Sequence, residues 1–130
     1  MKGELQASLE KISVETGSKI SVVNPAYTSQ VDRLTGTLLG SRKGDRFIRY
    51  TKDVIHADLN AALNLCIQEQ DNQITRLMSS NEVEAILIGR TVQYLNSIGC
   101  SVTFALDRGW LLTKFKVKAL KYESEYYPQG

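Results

Sequence analysis

Apolar residues recur along the chain at two different periods, which predict helices in some segments and strands in others. Leu5, Leu9 and Ile12 follow one another at helical spacing, so we predict a first helix over residues 4–16. The β-branched and apolar run at residues 20–23 predicts a strand that packs against this helix. A helix that leads into an apolar strand indicates a mixed α/β layer.

The next segment changes character. Between residues 25 and 55 glycines separate short β-prone pieces, which predicts a small hairpin-like insert. A second helix is expected from Ala57 to about Glu69. Its apolar face consists of Leu59, Ala62, Leu63 and Cys66, with Asn60 and Asn64 on another face.

The C-terminal half begins with a strong helix signal. Ser79 and Glu82 have the spacing of a capping box, and the apolar positions that follow predict a long helix buried on two sides. Residues 101–105 are predicted to be a strand. Residues 110–122 fit either a half-exposed strand or the start of a helix, and residues 123–130 read as a tail.

Composition sets the class of protein. The chain has 130 residues, enough for one domain with a modest core. Its 16 Lys and Arg against 14 Asp and Glu make it only mildly basic, so net charge alone does not indicate nucleic-acid binding. The two cysteines form no Cys-x-x-Cys pair, and neither a secretory signal nor a membrane span is evident. We therefore expect a cytoplasmic protein without membrane partners.

Positive charge is concentrated in the insert. Five cations alternate with two aromatic residues there, a composition typical of surfaces that contact phosphates and stacked bases. Asp45 and Asp53 dilute this charge, so a solvated hairpin face remains the alternative. The cations are Arg42, Lys43, Arg46, Arg49 and Lys52, and the aromatic residues are Phe47 and Tyr50.

Two motifs about thirty residues apart carry a resemblance to a known family. Residues 23–30 read VNPAYTSQ and residues 56–64 read HADLNAALN. In this pairing the chain resembles the C-terminal part of the TnpB family of transposon-encoded, RNA-guided DNA nucleases, which are related to type V CRISPR effectors. The match covers about residues 3–69. It implies that Asp58 occupies the position of the last catalytic carboxylate of a RuvC nuclease site.

The resemblance implies a fold as well. Residues 1–70 would form a partial RNase H-like (RuvC) half-domain of α/β class, with a ribbon-like hairpin inserted at about 25–55, and residues 71–130 would form a helical and mixed C-terminal extension. The family's insert usually carries two Cys-x-x-Cys pairs. At the equivalent positions this chain has Asp32, Thr35, Arg49 and Lys52, so no zinc is expected. The segment resembles the zinc-less variants of the family.

The metal chemistry of the family requires more carboxylates than this segment supplies. A RuvC site uses two Mg²⁺ ions held by an Asp and a Glu from earlier strands together with the final Asp. Glu4, Glu10 and Glu15 fall on the predicted first helix, so they do not replace the missing Glu. We expect Asp58 to mark an incomplete Mg²⁺ site and the isolated chain to be inactive as an endonuclease. His56 reads as structural or solvated.

Two functions follow from these observations. In the first, the chain is the C-terminal portion of an RNA-guided DNA endonuclease, with DNA and a guide RNA as partners. In the second, it is a non-catalytic module that binds nucleic acid or another chain. Tyr27 joins the five cations as a nucleic-acid-binding candidate. If the central strands of the sheet are absent, the strand at 20–23 would expose an edge, which predicts a homo-oligomer or a partner.

Overall fold

The computed structural model describes residues 12–16 and 19–128, which form five strands and four α-helices. The strands are β1 (Ile12–Thr16), β2 (Lys19–Val23), β3 (Gly40–Lys43), β4 (Arg46–Arg49) and β5 (Val54–His56). The helices are α1 (Ala57–Gln68), α2 (Ser80–Ser97), α3 (Val102–Asp107) and α4 (Lys116–Tyr126), with a 3₁₀ turn at Thr113–Phe115. The chain is therefore of mixed α/β class.

The N-terminal part of the described chain is a hairpin. β1 pairs with β2 in antiparallel register, from Ile12 opposite Val23 to Thr16 opposite Lys19. The predicted helix over 4–16 is therefore wrong for residues 12–16, and residues 4–11 lie outside the described residues. Ile12, Val14 and Thr16 alternate with polar residues, and this two-residue period with β-branched side chains suits a strand better than a helix. The strand predicted at 20–23 is confirmed.

The insert contains the three-stranded antiparallel sheet β3-β4-β5. Lys43 pairs with Arg46, so Gly44 and Asp45 form a two-residue hairpin turn, in which Gly44 has a φ of 63°. Phe47 of β4 is fully buried beneath the sheet. The hairpin predicted between residues 25 and 55 from the glycine spacing is confirmed.

Helix α1 has the predicted bounds to within one residue but buries the opposite face. Ala57, Asn60 and Asn64 are buried, whereas Leu59 is 53% exposed. The predicted apolar face is thus largely on the surface of the described structure. The orientation of this helix is decided by hydrogen bonds that the two asparagines donate to the Val31 carbonyl. The spacing of apolar residues in the sequence does not reveal these tertiary bonds.

The main core lies between α2, α3, α4 and the loop that precedes β3. Residues from both halves of the sequence share it: Val31, Leu38, Leu39, Ile74, Val83, Leu87, Ile88, Val92, Leu95, Val102, Ala105, Leu111, Phe115 and Ala119. The buried Thr91 hydroxyl accepts the Leu38 N–H at 2.9 Å and donates to the Leu87 carbonyl at 2.7 Å. This hydroxyl satisfies a loop amide inside the core and ties the insert to α2.

Two predictions for the C-terminal segment are wrong. Residues 102–105 belong to α3 rather than to a strand, because the hydroxyl of Ser101, the N-cap residue, caps the helix by accepting the Phe104 N–H. The predicted tail begins inside α4, which continues to Tyr126. Of the two alternatives left open for residues 110–122, the structure shows helix from Thr113 onward, as a 3₁₀ turn followed by α4, while the helix start considered at residues 110–112 is not formed. The capping box of Ser79 and Glu82 is confirmed.

Over the described ranges, every helix is too short or too polar to cross a lipid bilayer.

Candidate nucleic-acid interface

Asp58 lies in the first turn of α1, beside the hairpin turn of the sheet. The Ala57 N–H donates to the Asp45 carbonyl at 2.8 Å, which fixes the start of the helix against this turn. Arg42 Nη2 donates to Asp58 Oδ1 at 3.0 Å, and Arg42 Nε donates to the Gly44 carbonyl at 2.9 Å. The Asp58 side chain is 74% exposed, so its carboxylate is open to solvent and suits the positive end of the helix dipole.

Asn60 and Asn64 join α1 to the loop that contains the Tyr-Thr-Ser-Gln segment. Both side-chain amides donate to the Val31 carbonyl at 2.7 Å, and Asn64 also donates to the Thr28 carbonyl at 2.9 Å. Asn60 Oδ1 accepts the Arg33 N–H at 3.1 Å. The two motifs that carry the family resemblance are therefore in direct contact.

Tyr27 lies at the other end of this loop and faces the interior. Its backbone has a left-handed φ of 63°, and its ring packs edge-on against Phe115 with a centroid separation of 6.2 Å. The hydroxyl donates to Glu84 Oε2 at 3.1 Å. Burial and the Glu84 carboxylate both raise the pKa of Tyr27. The structure thus places Tyr27 in the core region, apart from the cations of the hairpin.

The five predicted cations do not form one cluster, because the sheet places them in different surroundings. Side chains of directly paired residues share one face of a sheet, so Lys43, Arg46 and His56 form a continuous cross-strand row, here called the basic row. All three residues are exposed, and His56 is also the N-cap residue of α1. Arg42 pairs with Phe47 on the opposite face, next to Asp58. Lys52 is exposed in the loop between β4 and β5.

Arg49 is committed to an internal ion pair. Its Nε donates to Asp32 Oδ2 at 2.6 Å, and its Nη1 donates to Asp53 Oδ2 at 3.3 Å. Asp32 is fully buried, and its other oxygen accepts the Leu34 N–H at 2.9 Å. Burial opposes charge on Arg49, but the hydrogen bond and charge of Asp32 outweigh it and raise the pKa of Arg49.

This ion pair occupies positions that the family resemblance assigns to zinc ligands. Asp32 and Arg49 stand at the first position of each equivalent Cys-x-x-Cys pair, and the Thr35 hydroxyl bonds the Thr37 hydroxyl at 2.7 Å. An arginine cannot coordinate zinc, and this donor set offers no thiolate. The residues present do not fit a zinc ion.

The described part of the chain also lacks a set of ligands for magnesium. Among residues 12–16 and 19–128, no group of three or more His, Cys, Asp and Glu side chains is arranged to hold a metal ion. The nearest charged partner of Asp58 is the Arg42 guanidinium rather than a second carboxylate. Asp58 alone does not fit a two-metal site.

Several residues near this surface escaped sequence reasoning. The sequence places Asn60 and Asn64 on a helix face of their own, but it does not predict that they bind the carbonyls of a distant loop. His56 enters the basic row through strand pairing, which is visible only in the register. Arg108 and Trp110 lie beside the sheet although they are distant in sequence, and the Gly40 N–H donates to the Trp110 carbonyl at 2.8 Å.

Comparison of the chain with protein-family models, with curated protein sequences and with solved structures finds no match.

Proposed function

We propose that this chain is the C-terminal RuvC portion of a TnpB-like, RNA-guided DNA endonuclease, which binds nucleic acid but is catalytically incomplete by itself. The observation that carries the proposal is the position of Asp58. Its carboxylate stands open to solvent at the start of α1, and this helix is bonded through Asn64 to Thr28, in the loop that carries the first family-like motif. A partial RNase H-like fold is part of this proposal.

The basic row supports nucleic acid as the partner. Lys43 and Arg46 are exposed on the open face of the sheet, and neither forms an ion pair with a described residue. Cations that are free in this way attract phosphates and release counterions on binding, so affinity falls steeply with salt. In the proposed whole enzyme this face would contact DNA or the guide RNA, while base pairing would select the target.

Catalysis would need carboxylates in addition to Asp58. In a RuvC site Mg²⁺ supplies the Lewis acid and helps to generate the attacking hydroxide. This chain would contribute the Asp58 carboxylate as a ligand to Mg²⁺. Without the metal, that carboxylate is paired with Arg42. We propose that the remaining Asp and Glu come from another part of the enzyme.

A nuclease assay on the 130-residue chain tests the incompleteness. We expect no cleavage of single-stranded or duplex DNA above background in Mg²⁺ or Mn²⁺. Asp58→Asn is the matched variant, because it keeps the size of the side chain and removes its charge. Metal-dependent cleavage that Asp58→Asn abolishes would show that the site is complete, contrary to the proposal.

A binding assay tests the nucleic-acid partner. Arg46→Ala with Lys43→Ala should lower affinity for oligonucleotides several-fold and reduce the dependence of affinity on salt by about one to two ions. Lys116→Ala with Lys121→Ala is the matched control, because both residues are exposed cations on α4. Equal losses in the two double variants would remove the basic row from the proposal.

The second candidate is a non-catalytic binding or self-associating module. It is favoured by the Arg42–Asp58 pair, which leaves Asp58 with a protein partner. In the described part of the chain β2 pairs only with β1, and Leu59 and Ile67 of α1 are each 53% exposed. Light scattering separates the possibilities: a concentration-dependent dimer supports self-association through this edge or face, and a monomer at all concentrations excludes it.

A further inference from the structure

A cavity of about 230 Å³ opens at the end of the sheet where β3 begins and β4 ends. It is here called the aromatic slot. Its walls come from the sheet and from the loop after α3, and they include Ser41, Ile48, Tyr50, Lys52, Arg108 and Trp110. This volume is large enough to accept a planar heterocycle.

The aromatic walls of the slot are held in place from outside it. The Trp110 ring packs edge-on against Tyr50 at 5.0 Å and against Phe104 at 5.4 Å. The Tyr50 hydroxyl bonds the Tyr94 hydroxyl of α2 at 2.6 Å. Ring pairs in this geometry are favourable, and the indole is positioned before any ligand arrives.

The rim of the slot is positively charged. Lys52 and Arg108 are both exposed, and neither forms an ion pair with a residue that the structure describes. The Arg108 guanidinium lies over the Phe104 ring at 4.5 Å, which orients its planar group beside the opening. An apolar slot with a cationic rim matches a base joined to phosphates.

The slot is continuous with the basic row. Ser41 and Ile48 form part of its wall, and they pair with each other on the face that also carries Lys43 and Arg46. Residues two positions apart along a strand lie on the same face, about 7 Å apart. A chain of phosphates that passes along the basic row would therefore reach the slot within a few nucleotides.

We propose that this face binds single-stranded nucleic acid, with one unpaired base inserted in the aromatic slot against Trp110 and with flanking phosphates on the basic row and Lys52. A duplex keeps its bases paired and stacked, so it cannot offer a base to the slot. Stacking on an aromatic side chain tolerates every base, so we expect little sequence preference. This inference rests on the proposed nucleic-acid-binding function and names its substrate class.

Trp110 is the single tryptophan of the chain, so its emission reports directly on the slot. Titration of the 130-residue chain with a twelve-nucleotide single strand of thymidines should quench this emission in step with binding. A duplex of the same length should bind more weakly and leave the emission largely unchanged. Quenching of equal size by the duplex would overturn the choice of a single strand.

Variants then test the slot itself. Trp110→Leu should weaken binding of the single strand about tenfold. Ser41→Phe should weaken it as well, because the new ring fills the slot while Trp110 stays in place. Tyr126→Leu is the matched control, since Tyr126 is an exposed aromatic residue on α4. Circular dichroism would identify a variant that fails to fold, and Ser41→Phe then carries the test.

The outcomes separate this inference from the function on which it rests. Suppose that binding depends on salt, that it leaves Trp110 emission unchanged, and that both slot variants bind as tightly as the wild-type chain. This result would refute base insertion in the slot, but it would be consistent with phosphate binding by the basic row. The absence of binding to any oligonucleotide at low salt would overturn the slot and the proposed function together.

Discussion

Arg49 Nε donates a 2.6 Å hydrogen bond to the fully buried carboxylate of Asp32, which also accepts the Leu34 N–H. The pair links the loop before β3 to the end of β4. Removing the cation from a buried carboxylate destabilises the fold, because the carboxylate has lost its hydrating water and no longer has an ion pair in place of it. The pair is therefore one of the contacts that fix the geometry of the insert, beside the bond of Thr91 to Leu38 and the bonds of Asn60 and Asn64 to the loop.

Arg49→Met should lower the free energy of unfolding by about 3–5 kcal/mol, because it leaves the buried Asp32 carboxyl without its cationic partner. Adding Asp32→Asn should recover a large part of this loss, since the amide oxygen can still accept the Leu34 N–H. Urea unfolding measures both. Arg46→Met on the same strand is the control, and it should change stability by less than about 0.5 kcal/mol. Equal stability of the Arg49 and double variants would contradict a coupled pair.

The tether between α1 and the loop before β3 makes a different prediction. Asn60→Ala and Asn64→Ala should each cost about 1–3 kcal/mol, because each leaves a loop group without a partner. Hydrogen exchange distinguishes them: only Asn60 accepts the Arg33 N–H, so this amide should exchange faster in Asn60→Ala alone. Asn96→Ala, on an exposed position of α2, is the control. Unchanged exchange at Arg33 in Asn60→Ala would refute the tether.

The Asp71–Arg90 pair gives stability a pH dependence. Burial alone would raise the pKa of Asp71, but two hydrogen bonds from Arg90, at 2.8 and 2.9 Å, and two from backbone N–H groups hold it below the usual 3.8. A lowered pKa in the folded state means that the ionised carboxylate stabilises the fold above about pH 4 and that this contribution disappears as pH falls through the lower, folded-state value.

Asp71→Asn should therefore cost about 1–3 kcal/mol at pH 7, and the difference from the wild-type chain should shrink towards pH 2. Urea unfolding at the two pH values is the measurement. Asp107→Asn, at an exposed carboxylate, serves as the control. A difference that stays constant with pH would mean that charge is not what Asp71 contributes.

Gly40 is the glycine whose replacement should matter most. Its φ is +135°, and an added Cβ would lie 2.7 Å from the Ile48 carbonyl oxygen and 2.9 Å from the Phe47 ring. Gly40→Ala should lower stability by about 2 kcal/mol or more. Gly44→Ala, with open space around the added carbon, should cost only about 1–2 kcal/mol. Thermal unfolding of the two variants is the measurement. A larger loss of stability in Gly44→Ala than in Gly40→Ala would contradict this explanation.

Sequence reasoning located the elements whose signals are local. The capping box of α2 and the Gly44 turn each fix their structure within a few residues. It failed where local preference was ambiguous. Ile12 satisfies both a helical spacing and an alternating one, and Val102 and Thr103 are β-branched residues that the Ser101 cap nevertheless draws into a helix.

The candidate site was predictable only in part. Asp58 and the exposed Lys43 and Arg46 follow from sequence, whereas the withdrawal of Arg49 into an ion pair depends on Asp32, seventeen residues away. The aromatic slot depends on contacts between β3 and Trp110, which lie still farther apart in the chain. Contacts of this range leave no mark on periodicity or composition.

Both asparagine amides of α1 bind main-chain carbonyls, at residues 28 and 31, and not the side chains that stand there. A substitution in the loop therefore leaves these hydrogen bonds possible, because the main-chain carbonyl remains. Positions 60 and 64, in contrast, each need a side-chain amide of the length of asparagine. In a library of random substitutions selected for folding, Thr28, which contributes its carbonyl to this contact, should tolerate more replacements than Asn60 or Asn64.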